Sequence, residues 1–225
     1  MNWKKYFFEF LSIFIAVISA FALNNWNENK NNSYSEEKIL TEIRNGIHLD
    51  QQDFKVNMNG HQFSLKAIQV FRNSILGNTV SQDSIGIFYT LLLRDYKPII
   101  NISGYESLKA SGLKTVRNDH LRFKIIELYD YYYEIIKILD SVPEMQSFQN
   151  YFALINSIIH THLEFDDDGN VIKLNSLSSL SETKKKEILS YLWRLENNRN
   201  FKLKRYEATL LKMDRVLQLL LNELN

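Results

Sequence analysis

The sequence predicts a mainly all-α protein, with an N-terminal transmembrane helix followed by an exported helical bundle of long helices and one small β-hairpin. Turn-forming residues are scarce, since the 225 residues include only seven Gly and two Pro. Apolar residues recur at helical spacing over several long segments. An apolar run at the N-terminus is long enough to cross a bilayer.

The apolar run, Tyr6–Leu23, predicts the transmembrane helix and contains a single charged residue, Glu9. As a helix it would span roughly 27 Å, close to the hydrocarbon thickness of a membrane. Trp3 and Trp26 flank it, as interfacial aromatic anchors do. Glu9 has two open interpretations: it snorkels to the headgroups beside Lys5, or it contacts a polar group on a partner's membrane helix.

Lysines set the expected orientation of this helix. Lys4 and Lys5 precede it, whereas Lys30 is the first lysine after it, so we expect a cytoplasmic N-terminus and an exported remainder. A cleaved signal peptide is the alternative, because Ala20-Phe21-Ala22 matches an A-x-A cleavage pattern. Both interpretations place residues 24–225 outside the cytoplasm.

The chain divides into three predicted parts. Residues 1–23 form the cytoplasmic tip and transmembrane helix, and residues 35–225 form the exported domain. The Asn-rich stretch 24–34 between them is either a juxtamembrane linker or a frayed continuation of the helix.

Two long helices are predicted to begin and end the exported domain. The first begins at Ser35 and ends at Leu76-Gly77, and the last begins after Ser181. The last helix carries a stripe at 3-4 spacing, typical of a coiled-coil seam: Leu203, Tyr206, Leu210, Met213, Leu217, Leu220 and Leu224. We favour packing of this seam against the first helix of the same chain, with pairing of two copies as the alternative.

Four tyrosines in the middle of the domain are candidates for contacts. Tyr129 and Tyr132 lie on or beside the predicted apolar face of their helix and are assigned to the core. Tyr131 and Tyr133 are assigned to the surface, as candidates for a partner interface.

The one predicted hairpin, within residues 163–174, adjoins the best candidate for chemistry. His160, His162, Glu164 and Asp166 would share a face of an extended strand and could bind a transition metal. However, His160 is predicted to end a helix, and the set matches no standard ligand spacing. The acidic turn that begins at Glu164 resembles a calcium loop but has Asn175 where the twelfth-position Glu belongs.

Other catalytic patterns are missing from the sequence. There is no Cys, no phosphate-binding glycine loop, no Gly-x-Ser-x-Gly and no His-Glu-x-x-His. The formal net charge is +1, which argues against a nucleic-acid-binding protein. We therefore expect no catalytic residue, no cofactor and no metal.

Three stretches carry a resemblance to a known family: Asn24-Asn25-Trp26-Asn27-Glu28, Gly104–Gly112 and Asn118–Arg122. The chain resembles an uncharacterised family of single-span bacterial envelope proteins, whose apolar N-terminal helix ends in NNWNE. The resemblance implies a helical protein of the bacterial inner membrane, with the bulk of the chain in the periplasm. It brings no established activity.

The expected function is that of a non-catalytic scaffold or accessory subunit of an envelope complex. Its expected partners are the lipid bilayer and a membrane protein, and a homo-oligomer is not favoured. Two alternatives stay open: a metal-dependent extracytoplasmic enzyme that uses the cluster from His160 to Asp166, and a solute-sensing module that acts through a partner.

Overall fold

The computed structural model describes residues 3–141 and 148–224, with side chains described for 7–141 and 152–224. The helices are α1 (Trp3–Ile75), α2 (Ile85–Leu93), α3 (Ser103–Ser111), α4 (Asp119–Glu127), α5 (Glu134–Ser141), α6 (Phe148–Ile159) and α7 (Glu182–Leu224). The strands are β1 (Leu163–Phe165) and β2 (Val171–Leu174). The prediction of a mostly helical chain with one small hairpin is confirmed.

The two long helices, α1 and α7, pack antiparallel and form the backbone of the domain. Tyr206, Met213 and Leu217 of α7 are buried in the same cluster as Ile43 and Ile47 of α1. The seam predicted on the last helix therefore packs within the chain, as favoured. Ser181 starts α7 as predicted, because its side-chain oxygen accepts a hydrogen bond from the backbone nitrogen of Lys184.

The domain has two apolar clusters along these helices. The proximal cluster lies nearer the apolar end of α1 and is centred on Ile39, Ile43, Ile47, Phe54, Leu121, Ile125, Tyr133, Tyr206 and Met213. The distal cluster lies at the other end and is centred on Ile68, Phe71, Ile75, Ile85, Leu92, Ile155, Ile159, Ile188 and Leu192. Helices α3, α4 and α5 cover the proximal cluster, while α2, α6 and the hairpin cover the distal one.

Helix α1 is continuous from the apolar segment into the domain. Residues 24–34 are helical and continue α1 without a break. The stretch contains neither Gly nor Pro, and Asn lowers helix stability only modestly, so nothing in it breaks the helix. Further along, α1 passes through Gly60, where an added Cβ would lie only 2.2 Å from the ring of Tyr96.

A π-helical segment, Leu128–Tyr133, joins α4 to α5 and corrects one prediction. A π-turn contains an extra residue, so the buried face after it shifts by one position along the sequence. Tyr133 is consequently buried, with none of its surface exposed, and the assignment of Tyr133 to the surface was wrong. Tyr132, assigned to the core, is only partly buried.

The hairpin lies against α2 in the distal half of the domain. β1 and β2 pair antiparallel, with Leu163 opposite Leu174. Gly169 occupies the turn with a φ of +81°, a conformation that favours glycine. Gly86 of α2 allows the close approach of β2, because a Cβ there would lie 2.6 Å from the carbonyl oxygen of Val171.

Candidate functional site

The apolar end of α1 is the most unusual surface of the molecule. No described side chain between residues 7 and 32 is buried. An 18-residue window in this segment has a mean hydropathy of 2.0, and α1 alone among the described helices is long and apolar enough to cross a membrane. A signal sequence near an N-terminus has the same length and composition.

The predicted membrane residues all lie on this part of α1. Glu9 is on the exposed surface, one turn before Ser12, whose hydroxyl donates to the carbonyl oxygen of Phe8. Trp26 is 64% exposed, and the ammonium group of Lys30 lies 5.6 Å from its ring centroid. Trp3 lies in the first turn of α1, and its side chain is outside the described set.

The structure separates the two candidate surface tyrosines. Tyr133 donates its hydroxyl to Asp50 at 2.7 Å in the proximal cluster. Tyr131 is 57% exposed and lies between two other exposed apolar residues, Phe123 and Ile138. Because the π-turn adds one residue, Phe123, Tyr131 and Ile138 are each about two turns apart and follow one line. We call these three residues the α4–α5 ridge.

The candidate metal residues make local structural contacts instead. His160 lies in a helical turn, with Nδ1 2.8 Å from the carbonyl oxygen of Asn156. Glu164 accepts from Lys173 at 2.7 Å, and Asp166 accepts from the backbone nitrogen of Asn170, also at 2.7 Å. These hydrogen bonds lower the pKa of both carboxyl groups. Among the described residues, no group of three or more His, Cys, Asp or Glu could hold a metal ion.

A charged cluster with buried cations and partly buried carboxylates, which the sequence analysis missed, separates the proximal from the distal cluster. We call it the polar belt; its members are His61, Asp95, Asp140, Arg199 and Lys202. The Lys202 ammonium lies 3.0 Å from Asp140 and 3.3 Å from Asp95. Arg199 donates to the carbonyl oxygen of Arg94 at 2.7 Å. Two cations thus face two carboxylates inside the bundle.

His61 is the neutral member of the belt. Arg199 has only donors, so its contact of 3.1 Å with Nδ1 of His61 makes that nitrogen the acceptor and leaves the proton on Nε2. Burial, with repulsion from Arg199 and Lys202, lowers the pKa of His61 to about 3. The Nε2 atom of His61 and the Nε atom of Arg199 have no hydrogen-bond partner among the described residues.

Asp50 forms a second buried polar centre within the proximal cluster. One carboxylate oxygen accepts from the backbone and side-chain nitrogens of Asn101 at 2.8 and 2.6 Å, and the other accepts from Tyr133. Burial nevertheless raises the pKa of Asp50, since desolvation outweighs these hydrogen bonds. Asp50 therefore holds the segment after α2 against α1.

The sequence does contain a signal for the polar belt. His61 falls three residues after Met58 and four before Leu65, within the apolar periodicity of α1. Arg199 precedes Leu203 by four residues and extends the seam of α7 toward its N-terminus. A charged or polar residue in such a position predicts a buried polar contact, although not its partner.

Comparisons of the chain with protein-family models, with curated proteins and with solved structures find no match.

Proposed function

We propose that this protein is a membrane-anchored, non-catalytic helical scaffold, an accessory subunit of a bacterial envelope complex. One observation carries the proposal: a single helix has an unburied apolar segment at one end and the core of a folded domain at the other. Such a helix fixes the domain at a set height and orientation above a bilayer. Rigid display is what a scaffold requires.

The chemistry of the domain supports a non-catalytic role. Glu164 and Asp166 make hydrogen bonds within the hairpin, and His160 contacts the preceding helical turn at Asn156. His61, Arg199 and Lys202 of the polar belt are buried, and its two partly buried carboxylates pair with Lys202.

The α4–α5 ridge is the surface we assign to a protein partner. Aromatic residues are enriched at the centres of interfaces, and Tyr131 and Phe123 are both more than half exposed. The test is affinity purification of the full chain from detergent-solubilised membranes. We expect Phe123→Ala with Tyr131→Ala to lose a stoichiometric partner that the wild type retains. Trp193→Ala, at an equally exposed aromatic residue on α7, should retain it.

The anchoring and its orientation have a direct test, because the chain contains no Cys. A single cysteine in the exposed turn after α1, Thr79→Cys, should react with a membrane-impermeant maleimide in intact spheroplasts. A cysteine at Lys4 should react only after lysis. The reverse pattern would contradict the proposed topology. A mature chain that begins after Ala22 would contradict the anchor and favour a signal peptide.

A further inference from the structure

The side of α1 that faces away from the domain carries a regular stripe of uncharged residues. Its members recur at 4-3-4-3-4 spacing: Asn45, Leu49, Gln52, Val56, Asn59 and Phe63. All are exposed, and the exposed fractions of the three apolar members are 56%, 66% and 49%. The stripe is about 27 Å long and ends at Glu42 and Lys66, the next two positions of the repeat. We call it the outer α1 stripe.

The domain packs on the opposite side of α1 and leaves this stripe accessible. Phe54 is fully buried and precedes Val56 by two residues, which correspond to about 200° around a helix. His61, also fully buried, has the same relation to Phe63. Beside the stripe lies Ile99, which is 75% exposed and whose backbone nitrogen donates to Asp53 at 2.7 Å.

The outer α1 stripe has the residue types of a coiled-coil seam that specifies its own register. The apolar members occupy one core position of the heptad, and the three amides occupy the other. The amide side chains make no hydrogen bond within the described part of the chain. Each amide has both donors and an acceptor and can pair with an identical amide, whereas a charged side chain would repel its own copy. The stripe is therefore complementary to itself.

The proposed membrane anchor favours a second copy of this chain as the occupant. Two chains anchored by the same apolar segment have the same orientation, so their α1 helices run parallel and at the same height. In a parallel pair each core position meets the same position of the other helix, so amide meets amide. The seam of α7 is occupied within the chain and did not predict a homo-oligomer, but the outer α1 stripe is a separate surface.

We propose that two copies of the chain pair in parallel through the outer α1 stripe. The inference rests on the proposed membrane anchoring. Amides at core positions lower the stability of a coiled coil, so this pair is weaker than one with an all-apolar seam. Confinement of both copies to one membrane raises their effective concentration and offsets that loss. The paired scaffold carries the α4–α5 ridge twice.

The test is disulfide cross-linking of the full chain in membranes, which is direct because the chain contains no Cys. Val56→Cys and Phe63→Cys are oxidised separately with copper phenanthroline and analysed on non-reducing gels. We expect at least half of each variant to form a covalent dimer, because every core position meets its own copy. Leu211→Cys, at a position of α7 that is 69% exposed, is the control and should form less than a tenth.

A like charge tests the role of the amides. Gln52→Glu places two carboxylates opposite each other in the pair and should reduce the cross-linking of Val56→Cys at least fivefold. Gln218→Glu, the same change at an exposed position of α7, should alter it less than twofold. In nanodiscs that hold one chain each, Val56→Cys should stay monomeric.

Three cross-linking results would overturn the inference. Equal yields for Val56→Cys and Leu211→Cys would indicate random collision. Dimers of Val56→Cys without dimers of Phe63→Cys would indicate an antiparallel crossing, and a cross-link to a different protein would assign the stripe to that protein. A chain that resists alkaline extraction but forms no dimer would refute the pairing alone. Release of the chain by alkali would refute the anchoring, so the two failures are distinguishable.

Discussion

The two parts of α1, residues 7–32 and residues 36–75, share one continuous helical backbone but differ in the burial of their side chains. Between residues 7 and 32 no described side chain is buried, although the segment up to Leu23 is almost wholly apolar. From Glu36 to Ile75 the helix buries one side against α7, α2 and α3 and leaves the other side partly or fully exposed. Within the domain the folded chain covers the apolar surface, whereas the first part needs another medium to cover it.

The difference in burial indicates which interaction stabilises each part of the helix. An exposed apolar surface of this length far exceeds what a soluble monomer tolerates, which supports the proposed membrane anchor. The second part owes its stability to the packing of its two apolar clusters. Changes in one part should therefore leave the other intact.

The largest expected effect comes from charge in the apolar segment. Ile15→Arg together with Ile18→Arg should cost about 5–7 kcal/mol of membrane insertion, because each central charge is costly in hydrocarbon. Alkaline extraction of membranes measures the effect, and we expect release of the double variant. Its domain should melt as the wild type does. Asn32→Arg, on the same helix but beyond the apolar segment, should stay bound.

Protonation of His61 should destabilise the folded domain and leave the apolar segment of α1 unaffected. The pKa of His61 is lowered to about 3 in the folded state, so the unfolded chain binds its proton more tightly. The contribution is complete above about pH 6.5 and is lost as the pH falls toward 3, at about 1.4 kcal/mol per pH unit. Denaturant unfolding between pH 7 and pH 4 measures this slope.

His61→Asn keeps an acceptor for Arg199 but does not titrate, so its free energy of unfolding should depend less steeply on pH. His48→Asn, at an exposed position of α1, should keep the wild-type slope. An identical slope in the wild type and His61→Asn would contradict a buried neutral histidine.

Truncation in the seam tests the packing of α7 on α1. Leu217 is 5% exposed and Leu211, on the same helix, is 69% exposed. Leu217→Ala should lower the free energy of unfolding by about 2–5 kcal/mol, because it leaves a cavity. Leu211→Ala should change it by less than about 0.5 kcal/mol. If Leu217→Ala instead dissociated a dimer without changing the melting of the monomer, the seam would pair two copies.

The smallest expected effect is the difference in the free energy of unfolding between the variants Tyr133→Phe and Tyr131→Phe. Tyr133→Phe removes the hydroxyl that donates to the buried Asp50 and should cost about 1–3 kcal/mol. Tyr131→Phe changes an exposed hydroxyl and should be nearly neutral. Thermal or denaturant unfolding of both variants measures the difference, and equal losses would contradict the burial of Tyr133.

Periodicity predicted much of this fold from sequence, including the long helices, the intramolecular seam and the position of the hairpin. It failed at Tyr133, because a π-turn is a change in backbone hydrogen bonding that leaves no mark in the spacing of apolar residues. The run from Tyr129 to Tyr133 contains four tyrosines, each able to lie in a core or on a surface, so composition could not correct the register.

The candidate site was less predictable, since its chemistry arises between distant residues. Asp95 and Lys202 meet only in the folded domain, and neither belongs to a local motif. Asp50 and Asn101 likewise meet across two separate elements of the fold. Sequence spacing describes neighbours on one element, whereas these contacts join separate elements.

The central claim is that α1 is one rigid helix from the apolar segment into the domain. The most direct test is pulsed electron–electron double resonance on the chain in bilayer nanodiscs. The two spin labels are attached at Leu23→Cys and Leu49→Cys. The account predicts a narrow distribution centred at about 39 Å, from 26 residues of helical rise. The pair Leu49→Cys and Asn73→Cys, wholly within the domain, gives the reference width. A distribution much broader than this reference and centred at shorter distances would show a flexible linker and contradict the claim.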